Sequence, residues 1–144
     1  MAPWTFYNSN GEALIQNAES AATQTVMEAA TSTTAFVSPA RTQYHPGVAK
    51  AWIRFNGSGT INNDASYGVD TIVDDGTGTY TVEWAVDFSS ENYGLATAGP
   101  GDDHIFVGHT ASPIAGEMEV RSRAVGAEGN SDANPIWVVA YGDQ

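Results

Sequence analysis

Large apolar side chains alternate with smaller or polar ones over residues 79–88, and this pattern constrains the fold more than any other feature. The apolar positions are Tyr80, Val82, Trp84, Val86 and Phe88. A period of two places every second side chain on the same side of an extended chain, so it is typical of a β-strand with one buried face. We therefore predict a half-buried strand over residues 79–88.

Six further segments predict strands, namely residues 49–55, 67–73, 93–98, 104–110, 117–125 and 135–142. Glycine-rich turns separate them, and the sequence DDGTG at 74–78 indicates a hairpin. Short strands at this spacing predict a mainly β fold with an antiparallel β-sandwich domain over residues 47–144. The last segment, PIWVVAYG, is apolar on both faces, which predicts a central strand or one covered by a neighbouring subunit.

The first 46 residues have a different composition, with much Ala, Thr, Ser and Gln and little Gly. Small and apolar side chains recur there at steps of three and four residues, at Ala18, Ala22, Val26 and Ala29. This spacing predicts a short helix within a partly helical or extended segment, and so short a helix must pack against something. It packs either on the β domain or on other copies of the chain, which would make residues 1–46 a trimerisation segment.

The charge of the chain excludes several classes of partner. Of its 144 residues, 17 are Asp or Glu and 5 are Lys or Arg, which gives a net charge of −12. Binding of nucleic acid requires a basic surface, and an anionic membrane would repel this protein, so we predict neither partner. No apolar segment approaches the roughly 20 residues that span a bilayer, so we predict no membrane insertion.

Residues that could catalyse a reaction or bind a metal ion are scarce. Cysteine is absent, and His45, His104 and His109 lack the spacing of a metal site. The Asp pairs at 74–75 and 102–103 lie in turns without the spaced oxygen ligands of a calcium loop, so solvated turns are the preferred interpretation. We predict no catalytic residue, no metal ion and no cofactor, and therefore no enzyme.

Trp52 is the most interesting aromatic residue. On an extended chain it shares a face with Lys50 and Arg54, opposite Ala51, Ile53 and Phe55. A Trp in this setting can stack on a guanidinium group or offer a flat platform to sugar rings. The interpretation that we prefer is that this face is buried against a second subunit or against the upstream segment.

Residues 22–39, ATQTVMEAATSTTAFVSP, resemble the short repeat of phage tail-fibre shafts. That repeat begins with Ala-Thr, continues through an acidic residue and ends in Val-Thr-Pro. The matching positions here are 22–23, 28–29 and 37–39, with Val26 where an acidic residue is common and Ser38 in place of Thr. Both departures are mild, since Ser38 keeps the hydroxyl group.

The downstream segments resemble the β domain at the distal end of phage and prophage tail fibres. They are residues 43–57 (QYHPGVAKAWIRFNG), 64–70 (DASYGVD), 75–87 (DGTGTYTVEWAVD) and 137–143 (WVVAYGD). Together with the shaft-like repeat, the resemblance covers about residues 22–144. It implies a homotrimeric protein of the virion tail fibre, whose distal domain binds a glycan or protein of the host surface.

The resemblance also implies a division of the chain. Residues 1–46 would be an anchor and fibre-repeat segment that contacts other tail or baseplate proteins, and residues 47–144 would be the distal β-sandwich domain. The chain is then either a short fibre or a minor virion component anchored through residues 3–11. The alternative function is a purely structural virion component, a head or tail decoration or connector that binds no receptor. A polysaccharide depolymerase is disfavoured, because the repeats of a long β-helix are absent.

Two sets of candidate site residues follow. Loops at one end of a sandwich present variable chemistry, so the receptor-binding candidates are Glu91, Asn92, Tyr93, Asp102, Asp103 and His104. The alternative is that these are ordinary solvated turns, with Tyr93 buried at the start of a strand. The trimer-interface candidates, in the upstream segment, are Ala22, Val26, Met27, Phe36 and Val37.

Overall fold

The structure is a computed structural model of the 144-residue chain. It describes residues 9–11, 21–33, 35–100, 104–108 and 114–144, with Asn62 and residues 104–108 described by their backbone alone. The chain forms two compact units, Met1–His45 and Pro46–Gln144, which we call the upstream unit and the β unit.

The β unit contains eight strands within the described residues: β1 Ala49–Asn56, β2 Asn62–Tyr67, β3 Val69–Gly76, β4 Thr79–Trp84, β5 Gly94–Ala98, β6 His104–Gly108, β7 Glu117–Ala124 and β8 Ile136–Tyr141. They form two antiparallel sheets of four strands. The first sheet has the order β2-β1-β8-β5, and the second has the order β3-β4-β7-β6. The predicted mainly β, antiparallel fold is confirmed.

Alternate apolar side chains of both sheets meet in one hydrophobic core. The first sheet contributes Ala51, Ile53, Phe55, Ile136, Val138 and Ala140, and the second contributes Tyr80, Val82, Trp84, Met118 and Val120. The Phe55 and Tyr80 rings meet edge to face, with centroids 5.1 Å apart. Two sheets that share a core in this way form a sandwich-like arrangement.

Two tyrosine hydroxyl groups tie the sheets together. Tyr80, in the second sheet, donates a hydrogen bond of 2.8 Å to the carbonyl oxygen of Gly57, just after β1 of the first sheet. Tyr93, just before β5 of the first sheet, donates one of 2.7 Å to the carbonyl oxygen of Glu117 in β7 of the second. Each bond satisfies a polar group that folding removes from water.

Two strand predictions were wrong in their bounds. Residues 67–73 are not one strand, because Gly68 separates β2 in the first sheet from β3 in the second. Gly68 has a φ of +66°, and a Cβ atom there would lie 2.5 Å from the carbonyl oxygen of Lys50. The connection between β2 and β3 therefore requires glycine at this position. The strand predicted over 79–88 ends at Trp84, although Phe88 is buried in the same core.

The upstream unit contains helix α1, Gln24–Ala29, and the single-turn helix α2, Pro39–Thr42. The hydroxyl oxygen of Thr23 caps α1 by accepting a hydrogen bond from the Val26 amide, 3.3 Å away, and Ala30 ends it in a left-handed conformation. The Ala22 amide donates to the Phe36 carbonyl oxygen. The helix is shorter than the small-residue spacing over 18–30 suggests, and Ala18 lies outside the described residues.

Candidate functional site

The outward side of the first sheet carries an exposed group of aromatic residues. We call it the aromatic face and define it by Trp52 and Arg54 in β1, Tyr67 in β2, and Trp137, Val139 and Tyr141 in β8. Trp52 is 39% exposed, Trp137 38% and Tyr67 62%. The alternation that buries Ile53 and Val138 turns these neighbours outward.

Strand register aligns the aromatic face into cross-strand rows. One row runs Tyr67, Trp52, Val139, Ala96, and the next runs Ala65, Arg54, Trp137, Ala98. Trp52 and Trp137 are therefore diagonal neighbours, within reach of each other's large side chains. Both ends of the second row are alanines, Ala65 in β2 and Ala98 in β5, so Trp137 has only a short side chain beside it toward the β5 edge.

Arg54 is the polar centre of the aromatic face. Its guanidinium group lies 5.5 Å from the centroid of the Trp137 ring, a cation–π distance, and forms an ion pair with the Asp64 carboxylate. The register between β1 and β2 shifts between Arg54 and Phe55, where Ala65 and Asn63 are the partners, so Asp64 is the extra residue of a β-bulge. The bulge brings the acidic side chain to the arginine.

The sequence prediction for Trp52 can now be compared with the structure. The guanidinium group of Arg54 stacks on Trp137, not on Trp52. Lys50, at the other side of Trp52, is buried. Trp52 is 39% exposed, and burial of this face by a second subunit or by the upstream segment stays a prediction. Trp137, Tyr67 and Asp64 were missed by the sequence analysis.

Strands β4 and β7 of the second sheet carry polar side chains on their outward side, where β3 also exposes Val73. The cross-strand pairs there are Thr79 with Arg121, Thr81 with Glu119, and Glu83 with Glu117. Arg121 forms an ion pair of 2.6 Å with Glu119 on its own strand. This is the ordinary composition of a sheet face in contact with water.

The first receptor-binding candidates lie before β5. Glu91 and Asn92 are exposed, but the Tyr93 ring stacks on Phe88 with centroids 4.3 Å apart and meets Trp84 edge to face. Burial raises the pKa of the Tyr93 hydroxyl, with a further contribution from the charge of Glu117. The partly buried ring therefore packs on the core, and a receptor contact through Glu91, Asn92 and Tyr93 stays a prediction.

The remaining receptor-binding candidates are at or beyond the limits of what the structure describes. Asp102 and Asp103 lie outside the described residues, as does His109. His104 is the first residue of β6, which is described by its backbone. The structure therefore does not test a contact surface made of residues 101–104.

Four of the five trimer-interface candidates surround one small cavity in the upstream unit. Ala22 and Met27 are buried, and together with Val26 and Val37 they line a space of about 180 Å³ that also contacts His45. Phe36 and Val37 are 53% and 52% exposed. The candidates are therefore clustered, while their contact with other copies stays a prediction.

The acidic side chains at the end of β3 have structural partners. Asp74 accepts a hydrogen bond of 3.0 Å from the Gly76 amide, and Asp75 accepts one of 2.6 Å from the Thr81 hydroxyl. Among the residues that the structure describes, no three His, Asp or Glu side chains are grouped to hold a metal ion. No helix of the described chain is long and apolar enough to cross a membrane.

Comparisons with protein-family models, curated proteins and solved structures find no match to this chain.

Proposed function

We propose that the chain is a structural protein of a phage virion, a trimeric tail fibre whose β unit binds a host-surface receptor without catalysing a reaction. The observation that carries the proposal is the aromatic face. It gives the β unit a broad exposed surface with two Trp, two Tyr and one ion pair, and such a composition is typical of recognition surfaces. The resemblance of residues 22–144 to tail fibres supports the same function.

The proposal gives the two units different tasks. The upstream unit assembles the trimer and contacts other tail or baseplate proteins, and the β unit attaches the particle to the host cell. Phe36 and Val37 support the assembly task. They are adjacent apolar side chains, each about half exposed, and a contact between copies of the chain would remove them from water.

A purely structural virion component is the second candidate function. The aromatic face also favours it, because a fixed contact with another virion protein would bury the same exposed Trp and Tyr side chains. The two functions differ in whether the isolated protein binds cells. They do not differ in the fold of the β unit.

The test uses the purified full chain. Sedimentation equilibrium measures the oligomeric state, and a fluorescently labelled sample measures binding to cells of a panel of bacterial strains. We expect a trimer that binds cells of some strains and releases no reducing ends from their polysaccharides. A monomer of 15.2 kDa at micromolar concentration would contradict the trimer. A trimer that binds no cells would favour the structural alternative, and released reducing ends would indicate an enzyme.

A further inference from the structure

We propose that the aromatic face is the receptor-binding surface and that its ligand is an uncharged polysaccharide chain of the host surface. The inference rests on the proposed attachment function and adds to it the site and the chemical class of the ligand. It also moves the site away from the loops around residues 91–93 and 101–104, where the sequence analysis expects it.

Stacking is the first argument for a sugar. Trp52 and Trp137 lie on neighbouring strands as diagonal neighbours, each more than one-third exposed, and Tyr67 lies directly opposite Trp52. Aromatic rings offer large, rigid, weakly polar surfaces, onto which the C–H face of a pyranose ring packs. The alanines at 65, 96 and 98 leave room beside the rings for an extended chain.

Hydrogen bonding is the second argument. A sugar ring that lies on an aromatic surface directs hydroxyl groups to its rim, where it needs both donors and acceptors. Arg54 supplies donors and Asp64 supplies an acceptor, and their ion pair holds both in place beside Trp137. A few fixed polar groups among aromatic side chains are the usual composition of a small-molecule site.

Charge decides between a neutral and an acidic polysaccharide. The four strands of the first sheet, all of them described, contain three charged residues, of which Lys50 is buried while Arg54 and Asp64 form an ion pair. The aromatic face therefore has almost no net charge of its own, whereas the whole chain carries −12. An acidic polysaccharide would gain little at the face and would be repelled by the rest of the molecule, so the fit is to a neutral chain.

Area decides between a sugar and a second copy of this protein. Four strands about 4.8 Å apart, each with about 20 Å of length, give a face of roughly 400 Å². A stable contact between two proteins takes about 800 Å² from each partner. A second copy seated on this face alone would also bury the Arg54–Asp64 ion pair at a desolvation cost.

The experiment measures two kinds of binding by the full-length protein. Labelled protein is applied to an array of bacterial-surface glycans and to cells of the strain that it binds best, at about 50 and 500 mM NaCl. We expect binding to at least one neutral glycan that changes little between the two salt concentrations, because no net charge is neutralised. Soluble oligosaccharide of the same structure should change the intrinsic Trp fluorescence.

The variants locate the site. Trp52→Ala and Trp137→Ala should each weaken binding about tenfold or more, and the double variant should bind neither the glycan nor cells. Trp52→Phe should keep most of the affinity because it keeps a ring. The matched control is Val73→Ala, which truncates an exposed apolar side chain on the outward side of the second sheet and should bind like the wild type. Circular dichroism and thermal melting check that each variant is folded.

The outcomes separate this inference from the proposed function. If the wild type binds cells and the folded double variant binds them equally well, the site is wrong and the attachment function stands. If the double variant loses cell binding but the wild type binds only acidic glycans or none, the ligand class is wrong. If the wild type binds cells of no strain, the proposed function fails before any variant is tested, and this inference fails with it.

Discussion

Ile53 and Val138 in the first sheet and Val82 and Val120 in the second are all fully buried in the core that the sheets share. The outward sides of the same strands differ. The strands of the first sheet contain one acidic residue, Asp64, and expose two Trp and two Tyr side chains. Those of the second contain six acidic residues, Asp70, Asp74, Asp75, Glu83, Glu117 and Glu119.

This difference shows that the fold alone does not account for the composition of the outward side of the first sheet. An antiparallel sheet needs one apolar side, and the outward side of β4 and β7 shows that polar residues suffice on the other. Trp52 and Trp137 lie outside the core that the two sheets share. The proposed interaction with another molecule would account for the composition of the aromatic face, and the following predictions test the contrast between the sides.

The largest effect is expected on the inner side. Phe55→Ala removes a fully buried ring that packs edge to face on Tyr80, so it should lower the free energy of unfolding by about 3–5 kcal/mol. Urea denaturation followed by circular dichroism measures the change. Trp52→Ala, three positions earlier on the same strand and on its opposite side, should cost far less stability. Equal losses for the two variants would contradict the contrast between inner and outward sides.

The next effect concerns the polar contact that joins the sheets. Asp132 accepts a hydrogen bond of 2.7 Å from the Gly78 amide and a longer one from the Tyr80 hydroxyl. Asp132→Ala leaves the amide of a buried glycine without its acceptor, so we expect a loss of about 1–3 kcal/mol. Asp75→Ala, at the exposed end of β3, is the matched control and should cost less. The measurement is again the free energy of unfolding in urea.

Alkaline pH should also loosen the contact between the sheets. Burial, assisted by the negative charge of Asp132, raises the pKa of the Tyr80 hydroxyl, and burial raises the pKa of Tyr93 as well. Because the pKa is higher in the folded than in the unfolded protein, the free energy of unfolding keeps its full value below the unfolded-state pKa of about 10. It falls as the pH rises above that value. Thermal melting between pH 8 and 11 measures this loss. Tyr80→Phe should make the decline shallower, and an unchanged decline would contradict the assignment.

A smaller effect of opposite sign is expected on the outward side of the second sheet. Glu83 and Glu117 are direct cross-strand partners, and like charges in that position are destabilising. Glu83→Gln should therefore raise the free energy of unfolding by about 0.2–1 kcal/mol at low salt. The gain should diminish at 1 M NaCl, where the repulsion between the wild-type carboxylates is screened. A loss of stability at low salt would mean that the repulsion is not the dominant contribution.

The smallest effect is expected for the ion pair of the aromatic face. Arg54 and Asp64 have side chains that are 40% and 26% exposed, so water weakens their attraction. Asp64→Asn should change the free energy of unfolding by at most about 1 kcal/mol. Its effect on glycan binding should be larger than its effect on stability. A loss of several kcal/mol would instead make the pair a structural element of the bulge.

The strand prediction succeeded where one face alone is buried and failed where a strand has little apolar content. The segments 49–55, 117–125 and 135–142 correspond to β1, β7 and β8, because alternating apolar residues there face the core. Strand β2, with the sequence NNDASY, carries no such pattern. It is a strand because it pairs with β1 at the edge of the first sheet, which local sequence does not reveal.

The aromatic face was foreseen in part. Trp52 stood out because it lies between two cations on its strand, and the segment PIWVVAYG stood out because it is apolar on both faces. The sequence analysis could not place these two observations side by side, because β1 and β8 are about 80 residues apart and only their pairing makes Trp52 and Trp137 neighbours. Asp64 had no signal at all, since its approach to Arg54 depends on a bulge.

The amino-acid sequence by itself determined the strand class, the charge and the buried side of each alternating strand, because these depend on residues one or two positions apart. Only the tertiary structure decided which strands pair, where Gly68 leads the chain from one sheet to the other, and which aromatic residues share a surface. Pairing between distant strands is selected by the fit of the whole core, not by any one segment. The aromatic face is a product of that pairing and could be recognised only after it.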